Sequence, residues 1–171
     1  MYYWRVTKYN PLYRDDQGRY KEDEWTSIGD IGKSYKGEEL TAEKYKVIEN
    51  VYAEAVVAVM AELKIKTLMV KELEISDYKI YAGISDFKSE CFYKTVQDGK
   101  AVSIEDIPCM VELILREILW AKLESDNLCV HFGYDFYMYF IAAKELKESA
   151  KNIGKSGLFI EDIKSPYLEI D

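Results

Sequence analysis

The apolar positions change period several times along the chain, and each change marks an element. Residues 2–9 alternate and are rich in β-forming side chains, which predicts a strand. Asn10-Pro11 ends it, because proline offers no N–H to a ladder and biases the residue before it away from helix. Residues 11–40 hold little periodicity and contain Gly18, Gly29, Gly32 and Gly37. A connection this long is uncommon in a compact domain and is often functional. Trp25, with Ile28 or Ile31, is its expected anchor. Thr41 is a good N-cap, and Tyr45, Ile48, Tyr52, Ala55, Val56, Val59 and Leu63 then recur at helical spacing, predicting a helix over 41–64.

Residues 67–75 alternate weakly as a strand, and 78–82 follow as another. Residues 91–96 and 101–104 flank Gln97-Asp98-Gly99-Lys100, and Asp-Gly between β-compatible segments predicts a hairpin. Asp106 precedes Ile107-Pro108, a good first helical turn. Met110, Val111, Ile114, Leu115, Ile118 and Leu119 carry that helix to its end near Ser125-Asp126-Asn127. A strand over 128–132, a bulge or bend at Gly133, an extended aromatic run over 134–141, a short helix over 142–152 and a strand over 158–163 complete the series. The order predicts a single α+β domain over 1–171. Its sheet is mostly antiparallel, with two main helices on one face and a short third helix.

Composition narrows the function more than the fold. The 171 residues include 31 Asp and Glu against 23 Lys and Arg, a net charge of −8. An acidic chain lacks the basic footprint that phosphate backbones require, so direct nucleic acid is not an expected partner. The imbalance is uneven: residues 1–80 contribute −2 and residues 81–171 contribute −6. Charges interrupt every apolar run before the ~18 residues of a membrane span, so no membrane partner is expected. Cys91, Cys109 and Cys129 are odd in number and far apart, and Met1-Tyr2-Tyr3-Trp4 does not open a signal peptide. A reducing cytoplasm, with Cys109 and Cys129 as buried spectators, is the expectation.

Candidate chemistry is sparse. The one histidine, His131, shares a strand face with Cys129, roughly 6–7 Å away along the strand rise. The pair is either a nucleophile with its base, as in a small cytosolic enzyme, or a strand cysteine and histidine without a motif or orienting acid. One histidine and scattered cysteines do not make a zinc site, and Glu22-Asp23-Glu24 lacks EF-hand spacing. Gly29-Asp30-Ile31-Gly32-Lys33-Ser34 ends like a phosphate loop, but Ser27 stands where its first glycine belongs. No cofactor or metal is expected.

The 15 tyrosines carry more. If 134–141 is extended, Asp135, Tyr137 and Tyr139 share one face and Tyr134, Phe136, Met138 and Phe140 the other, core face. In the long loop, Tyr13, Asp15, Asp16, Tyr20, Asp23, Glu24 and Trp25 interleave acids and aromatics. Carboxylates steer a basic partner, and tyrosine supplies apolar area with a polar tip. The seven loop residues with Asp135, Tyr137 and Tyr139 are the expected partner-binding set. A homodimer formed by the Tyr137/Tyr139 strand pairing across a two-fold axis is a further reading.

Short segments distributed along the chain strengthen the binding reading. They are Trp4-Arg5, Tyr9-Asn10-Pro11, Asp23-Glu24-Trp25-Thr26-Ser27 with Asp30-Ile31-Gly32, and Phe132-Gly133-Tyr134-Asp135 with Tyr137-Met138-Tyr139. In these the chain resembles bacterial immunity proteins of polymorphic and contact-dependent toxin–immunity systems. The resemblance implies a non-enzymatic cytosolic inhibitor that binds one cognate toxin and blocks or distorts its active site. The acidic charge, separately, favours a basic toxin such as a nuclease.

Overall fold

The computed structural model describes residues 1–76 and 87–168. One seven-stranded sheet organises the chain. Its strands are β1 (Tyr2–Thr7), β4 (Thr67–Ile75), β5 (Ala101–Ser103), β6 (Leu119–Ser125), β7 (Leu128–Phe132), β8 (Met138–Ala142) and β9 (Phe159–Glu161). The order is β5-β4-β6-β7-β8-β1-β9, and every pairing is antiparallel. The long loop adds a two-residue hairpin of β2 (Ser34–Tyr35) and β3 (Glu38–Glu39). Four helices, α1 (Ala42–Glu62), α2 (Phe87–Tyr93), α3 (Ile107–Leu115) and α4 (Glu148–Lys155), complete an α+β fold. No helix among the described residues is long and apolar enough to cross a membrane.

Register explains the two faces of the sheet. Trp4, Phe140, Val130, Leu123 and Val70 lie opposite one another across five strands, and all face the core. Tyr45, Tyr52, Val56, Val59 and Met60 of α1 and Ile107, Met110 and Leu113 of α3 join them in one cluster. The next row runs Glu161, Arg5, Tyr139, His131 and points the other way. Residues 162–168 cross this outer face: Ser165 Oγ lies 2.9 Å from His131 Nδ1, and the Tyr167 ring packs on Trp120, His131 and Tyr139.

Several segments depart from the sequence expectation for identifiable reasons. The helix begun at Ile107 stops at Leu115, where Arg116 turns inward and Glu117 takes φ 59°. Residues 119–125 form a central strand, since Leu119, Ala121 and Leu123 alternate as well as they fit a helix. Residues 91–96 fall at the end of α2 and beyond it, so no hairpin forms there; β5 pairs with β4 instead, and Gly99, at φ 76°, supports the turn between. The short helix spans Glu148–Lys155, because Ala142 still belongs to β8. The strand expected at 78–82 lies outside the described residues. The 41–64 helix, its Thr41 cap and the Trp25 and Ile28 anchors are as expected, Thr41 Oγ1 accepting from the Lys44 backbone. Strand β8 is flanked by β7 and β1, which leaves it no open edge for pairing across a two-fold axis.

Buried polar groups fix how the helices sit. Arg116 bonds Glu49 through Nε at 2.8 Å and Nη2 at 2.6 Å, and Nη1 meets Glu112 at 2.7 Å. The Tyr45 hydroxyl donates to the Leu115 carbonyl at 2.9 Å, joining α1 to the end of α3. Helix α4 makes no side-chain cap of its own. Glu62, the last residue of α1, accepts from the backbone N–H groups of Lys147, Glu148 and Ser149.

Candidate functional site

The loop of residues 11–40 and the turn between β7 and β8 form one assembly. Trp25 packs edge-on against Phe136 at 4.9 Å between centroids, and Arg14 Nη1 donates to the Tyr137 hydroxyl at 2.9 Å. The two aromatic groups singled out in the sequence thus meet in space. Their roles differ from residue to residue.

The extended face expected for Asp135, Tyr137 and Tyr139 does not form. Residues 133–137 make a turn, with Gly133 N–H donating to the Tyr137 carbonyl at 2.7 Å. Asp135 and Phe136 adopt φ 55° and 61°, the left-handed region that a bulky side chain enters only under constraint. The turn reverses two assignments. Tyr134, expected in the core, is 86% exposed, while Tyr139, expected at the surface, is 7% exposed beneath Tyr167. Burial accordingly raises the Tyr139 pKa. Tyr137 is half-buried between the Arg5 and Arg14 guanidinium groups, and only Asp135 of the three is exposed.

The loop sorts in the same way. Trp25 is buried, and the Lys8 ammonium lies 3.8 Å from its ring centroid and 3.3 Å from Glu24 Oε1. Burial, partly offset by Glu24, brings the Lys8 pKa down to about 8. Asp15 is occupied internally, its Oδ1 accepting from the Gln17 and Arg19 backbones. Tyr20 packs on Tyr9 at 4.9 Å. Tyr13, Asp16 and Asp23 remain exposed. Trp25, Glu24, Asp15, Tyr20, Tyr137 and Tyr139 therefore build the surface more than they present it. The Gly-Lys-Ser stretch leads from a turn at Gly32 into β2, and Lys33 Nζ is held by Asp30 at 2.8 Å.

Cys129 and His131 do share the outer face, but the His131 ring is engaged elsewhere. Besides Ser165, His131 faces Glu124, 3.9 Å from Nε2. Burial and the neighbouring Lys122 bring the imidazole pKa down to about 4, and burial with Glu124 raises that of the Cys129 thiol. Both groups are neutral near pH 7, the opposite of a thiolate–imidazolium pair. Cys129 is half-buried rather than fully buried, and Cys109 lies in the core. No group of His, Cys, Asp and Glu among the described residues has the arrangement of a metal site.

A cleft of about 650 Å³ lies beside the 133–137 turn. Glu74 and Ile75 at the end of β4, Glu117 at the α3–β6 turn, Trp120, Tyr134, Asp135, Tyr167 and Thr26 line it. Trp120 is fixed by its indole N–H, which donates to the Phe132 carbonyl at 2.7 Å. Burial, together with the nearby Asp135 and Asp30, raises the Glu117 pKa. Sequence reasoning missed Glu74, Glu117, Trp120 and Tyr167. The alternation of Leu119, Ala121 and Leu123 was the one signal that would have freed Trp120 from a helix and placed it on a strand face.

The fold and this surface define an α+β protein with a fully antiparallel sheet and an acidic, aromatic cleft. No protein-family model matches the chain, and neither a curated protein nor a solved structure is significantly similar to it.

Proposed function

We propose that the chain is an immunity-type binding protein that neutralises a basic protein toxin in the cytoplasm. The observation that carries this reading is the assembly of loop and turn. It displays Tyr13, Asp16, Asp23, Tyr134 and Asp135 while its buried members hold it rigid. A pre-organised surface loses little entropy on binding, and uncompensated carboxylates speed encounter with a basic partner. The net charge of −8 adds to that steering.

The test is affinity for the toxin domain encoded by the adjacent gene. Binding of about nanomolar strength is expected, weakening with salt mainly through slower association. Absence of binding to any neighbouring toxin domain would overturn the reading. Light scattering on the same samples reports whether the unit that binds is a monomer or a homodimer.

A further inference from the structure

The cleft has a chemistry of its own. Glu74, Glu117 and Asp135 bring carboxylates from three separate chain segments to one opening. Between them the wall is apolar and aromatic, with Ile75, Trp120 and Tyr134. Ile75 is 53% exposed at the end of β4. Carboxylates alone would suit any cation, and rings alone any apolar group. Together they suit a cation carried on an apolar stem.

We infer that this cleft seats an arginine side chain projecting from a basic protein partner. A guanidinium is planar and always charged. It can donate to carboxylates on two sides while its face lies on a ring. The three methylenes behind it match Ile75 and the aromatic wall. A lysine ammonium gains less here, because it is a compact point charge that stacks poorly and is strongly hydrated. The partner's identity as a toxin rests on the function proposed above. The cleft's preference for arginine does not.

The experiment is a two-dimensional amide NMR titration of the full chain with the blocked peptide acetyl-Gly-Arg-Gly-amide. Its lysine and citrulline counterparts serve as probes of charge and shape. The arginine peptide shifts the Trp120 indole N–H and the Gly133 and Tyr134 amides, with half-saturation at about 1–10 mM, a range open to one side chain. The citrulline peptide leaves them unmoved, and the lysine peptide binds several-fold more weakly. Glu117→Gln and Asp135→Asn, both at exposed positions, each weaken the arginine peptide about threefold and together abolish its effect. No shift at Trp120 up to about 50 mM overturns the inference. So do equal binding of lysine or citrulline, shifts confined to residues 13–24, or unchanged binding by the double variant. Tight toxin binding without the peptide response sinks the cleft alone, and peptide binding without toxin binding sinks the toxin reading alone.

Discussion

The Tyr52 hydroxyl donates to the Phe136 carbonyl at 2.6 Å, across 84 residues of chain. Helix α1 thereby holds the left-handed turn that carries Asp135 and Tyr134. The Phe136 ring is clasped as well, by Trp25, Tyr45 and Tyr52. Tyr52→Phe keeps those ring contacts but leaves a buried carbonyl without its donor. A loss of about 1–3 kcal/mol in urea unfolding is expected. Partner affinity should fall too, although Tyr52 itself is wholly buried. Unchanged stability would show that the rings alone hold the turn.

Charge reversal distinguishes displayed carboxylates from internal ones. Asp16→Lys with Asp23→Lys should slow partner association about tenfold at low salt and leave the unfolding midpoint within about 0.5 kcal/mol of the parent. Reversal of Asp15 or Glu24 should lower stability instead, since these groups serve the loop and Lys8. Stopped-flow binding alongside denaturation separates the two classes.

Glu62 links two helices through one carboxylate. Burial acts to raise its pKa, but bonds from the Ser149 hydroxyl and the backbones of 147–149 outweigh this and bring it down to about 2. Its stabilisation is therefore full above the unfolded value near 4.5 and drains away as pH falls toward 2. Glu62→Gln should cost about 1–2 kcal/mol at pH 7 and remove that part of the acid sensitivity. Hydrogen exchange in α4 is the local readout.

Arg116 and Glu49 are both buried, so the ion pair cannot be halved cheaply. Glu49→Ala takes a two-pronged carboxylate away from a buried guanidinium, and a loss of about 3–5 kcal/mol is expected. Replacing Glu49 and Arg116 together by Leu and Met should recover much of it. Thermal unfolding of the single and double variants tests this.

Acidification should loosen the segment over the outer face. His131 is neutral in the folded state, with its pKa down to about 4 against 6.5 unfolded. The folded state thus binds fewer protons between those values, and stability falls as pH drops from about 6.5 to 4. Lys122, Glu72, Glu124 and Tyr167 surround the ring, and Lys122 opposes its protonation. Fluorescence of Trp120 beside Tyr167 should follow this loss, and His131→Gln should flatten it.

Residues show why parts of this architecture were legible and others not. The 41–64 helix announced itself through a cap and six turns of consistent spacing. Trp25 was readable as an anchor because a tryptophan in a polar loop has few other places to go. Leu119 to Leu123 satisfied two periods at once, and the helix ends just before them, where Arg116 turns inward onto Glu49. The surface set erred for a related reason. Alternation assumes a straight strand, whereas Asp135 and Phe136 reverse the chain's hand under constraints from Tyr52 and Trp25, far away in sequence. The cleft was invisible because its carboxylates come from three segments that only the sheet brings together.

The place of β1 in the sheet has a consequence in time. This strand is synthesised well before its two neighbours in the sheet, β8 and β9, whose residues lie more than 130 positions later. No local partner can shelter it during synthesis. Sheet closure waits for β8 and β9, and contacts of such separation place folding among the slower, millisecond-to-second class. Until β8 arrives, Trp4 and Val6 lack their sheet neighbours Phe140 and Met138, so the closing of this sheet is paced by strands distant in sequence rather than by helix α1.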